Sequence, residues 1–219
     1  IQTHPDTRHL PFSYVIADGM TTWLVPGCNF ATVGTYRDIM KWPKRDKRPL
    51  NGRRSIVNTE WLSPFVVQQV TEGRNYLRQL EANDELNDEA NAHVSGEGFT
   101  MRCSSALRGI GYYDMAIRMF LADAVRKEGE ALPSSSTGTG EWLDLSGMYA
   151  PKSEIDQLAD DIRFSSLDEI QQVDDRLLEI HSHYNEYKWN YAYRLALNYF
   201  NLDTITSSDI ETIIRKGDE

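Results

Sequence analysis

Between Ser104 and Lys127 the apolar residues Leu107, Ile110, Tyr113, Ile117, Phe120, Leu121 and Ala124 recur three and four positions apart, with Arg108, Arg118 and Arg126 between them. That period is the helical one, so the stretch predicts a long amphipathic helix with one stripe to bury and one face to keep in water. Other segments repeat the pattern. Ser63-Pro64 is a good helix start, with serine at the N-cap and proline at the first helical position. Phe65, Val66, Gln69, Val70, Gly73, Leu77 and Leu80 then mark one face. Pro151 opens a short acidic helix to about Arg163. Ser166 followed by Glu169 has the capping-box pattern and begins a long helix reaching about Tyr199. Its stripe is Leu167, Ile170, Val173, Leu177, Ile180, Tyr184, Tyr191 and Leu195. Thr206 to Arg215 reads as a final short helix, with Ser208 and Glu211 as a second box. The expected fold class is mainly α, an irregular helical bundle with a short N-terminal β-hairpin as a β cap.

The hairpin is read from Asp18-Gly19, which lies between the apolar runs Tyr14–Ala17 and Met20–Val25; both turn residues can take the positive φ of a type I′ turn. Two strands alone bury too little to be stable, so the hairpin is expected to cap a β structure upstream or to lean on the helices. Three segments follow: a hairpin cap over 1–36, a basic loop over 37–58 broken by Pro43 and Pro49, and a helical domain over 59–219. Flexible stretches are expected near 83–98, rich in Asn, Asp, Glu and Gly, and over 133–140, rich in Ser, Thr and Gly.

Charge is distributed unevenly. The chain carries −10 over 219 residues, which argues against general nucleic-acid binding. Yet residues 37–54 hold eight bases against two acids, a local +6 that leaves −16 for the rest. Arg37, Lys41, Lys44, Arg45, Lys47 and Arg48 could clamp a phosphate, a nucleotide or an acidic surface, and Trp42 in their midst could stack on a ring. The competing reading is structural pairing with the 31 acids outside the loop.

Other constellations carry less. His4, Asp6 and His9 lack a second cluster at ligand spacing, so no metal site is expected. His181 and His183, two apart, point to different helix faces, one partly buried and one exposed. The aromatic run Tyr184, Tyr187, Trp189, Tyr191, Tyr193, Tyr199 and Phe200 surrounds its helix, which predicts a central helix or one at a subunit interface. Cys28 and Cys103 have no partner motif and read as small buried side chains in a reducing compartment. No segment approaches the roughly 18 apolar residues of a membrane span, so no membrane partner is expected. The opening Ile1-Gln2-Thr3-His4-Pro5 has neither an initiator Met nor a signal pattern, and reads as the start of a cytoplasmic fragment. No motif identifies a catalytic residue or a cofactor, and whether the chain is an enzyme stays open.

Several segments resemble a bacterial family of unknown function: His4-Pro5-Asp6-Thr7, Leu10-Pro11-Phe12-Ser13-Tyr14, Leu24-Val25-Pro26-Gly27, Val33-Gly34-Thr35-Tyr36-Arg37-Asp38 and, most specific, Lys41-Trp42-Pro43-Lys44-Arg45-Asp46-Lys47-Arg48. Leu62-Ser63-Pro64 and Glu141-Trp142-Leu143-Asp144-Leu145-Ser146-Gly147 extend the likeness over most of the chain. The resemblance implies a long cytoplasmic protein in which a left-handed parallel β-helix of hexapeptide repeats precedes this region. The hairpin would then be the end of that β-helix and the helices its C-terminal appendage. Such β-helices resemble acyltransferases and sugar-nucleotide enzymes. The expected function is a helical assembly or scaffold module that self-associates through the β-helix or the aromatic helix. The alternative is the part of an acyl- or nucleotidyl-transferase that binds a phosphorylated small molecule or sugar nucleotide.

Overall fold

The computed structural model describes residues 10–32, 37, 41, 44–45, 56–58, 60–87, 92–96, 98–164 and 169–219. Mainly α is the fold observed, with small sheets. Its helices are α1 (Pro64–Ala82), α2 (Cys103–Glu128), α3 (Lys152–Arg163), α4 (Ile170–Ser182), α5 (Tyr184–Phe200) and α6 (Ser207–Asp218). The strands are β1 (Tyr14–Asp18), β2 (Thr21–Val25), β3 (His93–Gly96), β4 (Phe99–Arg102), β5 (Trp142–Leu145) and β6 (Met148–Pro151). Contacts divide the chain into two compact units that cut across the three segments expected from sequence. The first holds 1–42 and 66–117, the second 43–65 and 118–219.

In the first unit the hairpin is real but its turn sits one residue later than expected. Asp18 pairs with Thr21, so the loop is Gly19-Met20. Only Gly19 of the two has positive φ, at 59°, which is the pattern of a type II′ turn and not the expected I′. The hairpin is also not two-stranded in isolation. Strand order is β1-β2-β4-β3, with β2 and β4 parallel and β3 antiparallel to β4. Strand β3 thus falls in the stretch expected to be loop. Four-residue strands carry too short an alternation to announce themselves.

Leu24 and Met101, directly paired, are both fully buried. Helix α1 buries Val67, Val70 and Leu77, and α2 buries Ala106, Ile110, Tyr113 and Ile117; all but Val67 and Ala106 belong to the stripes read from sequence. The Tyr113 hydroxyl donates to the Pro11 carbonyl at 2.9 Å, and Phe30 stacks on Phe12 with centroids 4.2 Å apart. Arg74 and Arg78 of α1 both reach Asp114 of α2, Arg78 at 3.3 Å.

The second unit is helical around a β5–β6 hairpin that the sequence reading missed. Ser146 and Gly147, at φ 57° and 102°, form its two-residue turn. Met148, Ala150, Leu158 and Ile180 make its core cluster, with Ile56, Ile155, Val173, Leu177 and Tyr187 against it. The long helix expected from Ser166 to Tyr199 is two helices. His183, at φ −90° and ψ 5°, ends α4 and starts α5. The box that starts α4 is Glu169 with Gln172, Ser166 lying outside the described residues. Consequently Ile170 is not on a buried stripe; it is 83% exposed. The box of α6 is Thr206 with Asp209, two residues before the expected pair.

The stretch expected as a flexible linker is hydrogen-bonded to α5. Asn190 donates to the Thr137 carbonyl at 2.9 Å and Ser134 donates to Glu186 at 2.5 Å. Gly138 sits so close to Tyr187 that a Cβ would lie 2.6 Å from the Tyr187 carbonyl oxygen, with φ at 90° besides. Small residues here permit close backbone packing as well as freedom.

Candidate functional site

Two places concentrate charge. The first is the basic stretch. Arg37, Lys41, Lys44 and Arg45 are helical and exposed, so Lys44 and Arg45 are not in the expected loop. Trp42, Lys47 and Arg48 lie outside the described residues, as do His4, Asp6 and His9. Arg37 and Lys41 each have an interaction partner. Among the described residues Lys44 and Arg45 form no ion pair.

The second place was not read from sequence. On α5, Tyr184 and Lys188 are four apart and share a face. The Lys188 ammonium lies 2.7 Å from Glu60 Oε2, and the Tyr184 hydroxyl donates to the same oxygen at 3.0 Å. Lys188 is 7% exposed, 3.9 Å from Asp123 and 5.6 Å from the Phe120 ring centre. Asp123 in turn accepts from Lys127 at 3.0 Å, a bond that raises the Lys127 pKa. A cleft of about 240 Å³ opens beside this network, lined by Ala124, Lys127, Glu128, Asn185, Lys188 and Trp189.

Burial, and then the charge of Glu60, push the Tyr184 phenol far above the ordinary tyrosine range. It therefore stays protonated and acts as a donor, not as a base. A half-buried carboxylate that accepts from both a phenol and an ammonium is a satisfied structural arrangement. It includes no nucleophile held by a base. The signal available in the sequence was a lone lysine four residues after a tyrosine within an aromatic run. Nothing local marks Glu60, which lies 128 residues from Lys188.

Helix α5 is a central helix. Tyr184, Trp189, Tyr191 and Tyr193 are all buried. Trp142 meets Tyr184 and Tyr191 edge-on, at 5.8 and 6.3 Å, and donates its indole N–H to the Gly138 carbonyl at 2.7 Å. His181 and His183 are both half-buried, contrary to the expectation of one exposed ring. Burial lowers the His181 pKa. Among the described residues no three His, Cys, Asp or Glu side chains are placed to hold a metal ion, and no helix is long and apolar enough to cross a membrane. Cys28 is half-buried and Cys103 buried, both as free thiols.

Residues 1–81 match a family model described as a domain of unknown function (DUF4954), and residues 125–219 match a second described in the same terms (DUF6819). No curated protein and no solved structure matches the chain. Glu60 belongs to the first matched region, Tyr184 and Lys188 to the second, yet all three lie in one compact unit. The segment around Glu60 is anchored there along its length. Asn58 donates its N–H to the Gly147 carbonyl at 2.8 Å and accepts from the Tyr149 N–H at 3.2 Å, while Phe65 stacks on Tyr149.

Proposed function

We propose that the chain is a helical assembly module, joined through strand β1 to further β structure that, by the sequence resemblance, is a hexapeptide-repeat β-helix. The observation that supports this is the state of β1. All five of its residues are exposed, among them Tyr14 at 56%, Val15 at 40% and Ile16 at 44%. Among the described residues no strand pairs with its outer edge. Folded proteins cover, charge or twist such edges, because a flat apolar edge recruits another strand. Here the edge is apolar on both faces, which suits continuation of a β stack on both sides.

The test is mass by light scattering together with amide exchange, on the unaltered chain and on Ile16→Lys. An assembled mass with protected outward amides in β1, both lost in the variant at unchanged melting temperature, is the expected result. A monomer whose β1 amides exchange freely overturns the reading. The runner-up, a transferase part that binds a phosphorylated small molecule or sugar nucleotide, draws support from the exposed Arg37, Lys41, Lys44 and Arg45. It predicts a ligand-induced rise in melting temperature that is lost on Lys44→Ala with Arg45→Ala, at low salt where phosphate contacts are strongest.

A further inference from the structure

The cleft beside the Glu60–Lys188 pair is built from two helices within one compact unit. The last turns of α2 supply Ala124, Lys127 and Glu128, and the first turns of α5 supply Asn185, Lys188 and Trp189. Ala124 and Trp189 are buried and make its apolar part; the indole N–H of Trp189 is already donated to the Ala131 carbonyl at 3.1 Å. Lys127, Glu128 and Asn185 are exposed and form its polar rim. Lys188 is the buried polar member. An ammonium group has three N–H donors. Among the described residues Glu60 is the one acceptor within hydrogen-bond distance of it, at 2.7 Å, and Asp123 stands off at 3.9 Å. Neither Asn185 nor the Glu128 carboxylate makes a side-chain hydrogen bond among the described residues.

The balance of charge decides the class of ligand. Glu60, Asp123 and Glu128 oppose Lys127 and Lys188, three carboxylates against two ammonium groups, a net −1. Both lysines already have carboxylate partners and Glu128 adds repulsion, so an anion gains little here. A cation meets the two ammonium groups instead. What the cleft offers is hydrogen bonding: spare donors on Lys188 and Asn185, and acceptors on Glu128 and Asn185, beside an apolar wall. A hydroxyl donates and accepts at once, so a ligand with several hydroxyls satisfies both sets together. The volume, about 240 Å³, falls below the roughly 300–1,000 Å³ of sites for drug-sized molecules, which limits the ligand's size. We propose that this cleft binds a small neutral polyol of monosaccharide size or less. The site uses neither β1 nor the basic stretch, and it adds a ligand to a module otherwise read as an assembly unit.

The experiment is saturation-transfer NMR on the full chain, which reads weak ligands whether or not the chain assembles. The probes are myo-inositol, glucose and galactose, with adenosine 5′-monophosphate as the anionic contrast. Expected is transfer to the ring protons of at least one polyol, with a Kd on the order of 1 mM. Asn185→Leu and Glu128→Leu each remove hydrogen-bonding groups at the rim and should weaken that polyol about tenfold or more. Both side chains are exposed, so the melting temperature should stay where it is. Lys44→Ala with Arg45→Ala should leave polyol binding unchanged. Transfer to none of the three polyols at about 20 mM, transfer indifferent to both rim substitutions, or nucleotide binding that Asn185→Leu abolishes overturns the proposal, and each leaves the β1 reading to its own test.

Discussion

Strand β1 and helix α5 invert what their compositions suggest. The strand reads Tyr-Val-Ile-Ala-Asp and every residue is exposed; the helix carries Lys188 and Asn190, and both are buried. Apolar content does not decide burial by itself. Helix α5 is inside because Trp142, Phe120 and the 134–138 stretch supply contacts on several sides and Glu60 supplies a counter-charge. Strand β1 is outside because, among the described residues, β2 is the one strand that pairs with it and its five side chains stay exposed. A polar residue can be buried when its partner arrives with it, and an apolar one stays wet when none does.

The contrast can be broken by substitution. Trp142→Ala removes a fully buried ring against α5 and its hydrogen bond to Gly138, and should cost about 4 kcal/mol in urea unfolding. Glu60→Ala removes the acceptor of the Tyr184 hydroxyl and leaves the Lys188 ammonium with Asp123 at 3.9 Å, and should cost about 3 kcal/mol. If adding Lys188→Met to Glu60→Ala recovers none of that loss, the pair is not what holds α5. Gly138→Ala, at φ 90° against the Tyr187 backbone, should cost about 2 kcal/mol by the same measurement.

A pH series sharpens the picture more gently. Burial holds the His181 pKa below its ordinary 6.5, so on acidification the unfolded chain takes up that proton first. Stability should therefore begin to fall as pH drops through about 6.5 and stop falling once pH passes the folded value, and His181→Gln should flatten that window. The smallest change is Ile16→Thr in β1, expected to move stability by less than about 0.5 kcal/mol while reducing assembled mass. A loss as large as that of Glu60→Ala would mean that β1 is core, and the comparison would fail.

How far the sequence foretold this varies with the range of the determining contacts. The stripes of α1 and α2 are local periodicities and were legible in the main, although α1 buries Val67 where Val66 was expected and α2 leaves Leu107 half-buried. The hairpin turn slipped by one because Asp18 can sit either in a turn or at a strand end, and only cross-strand register distinguishes these. The break at His183 was hidden because Ile180 and Tyr184 keep helical spacing across it. Strands β3 to β6 are four residues each and depend on partners. The basic stretch announced itself as charge. The Glu60–Lys188 pair did not, since a carboxylate next to Trp61 has no local sign of a partner so far along the chain.

That separation has a consequence in time. Every residue of the first unit has been made once synthesis passes residue 117, whereas the second needs residues up to 219. Glu60 leaves the ribosome 128 residues ahead of Lys188. At about 5–20 residues per second, Glu60 waits roughly 6–25 s for Lys188, and Phe65 roughly 4–17 s for Tyr149. A segment that is among the earlier parts to be made is thus among the last to be enclosed, and its apolar residues are the natural targets for chaperones in that interval.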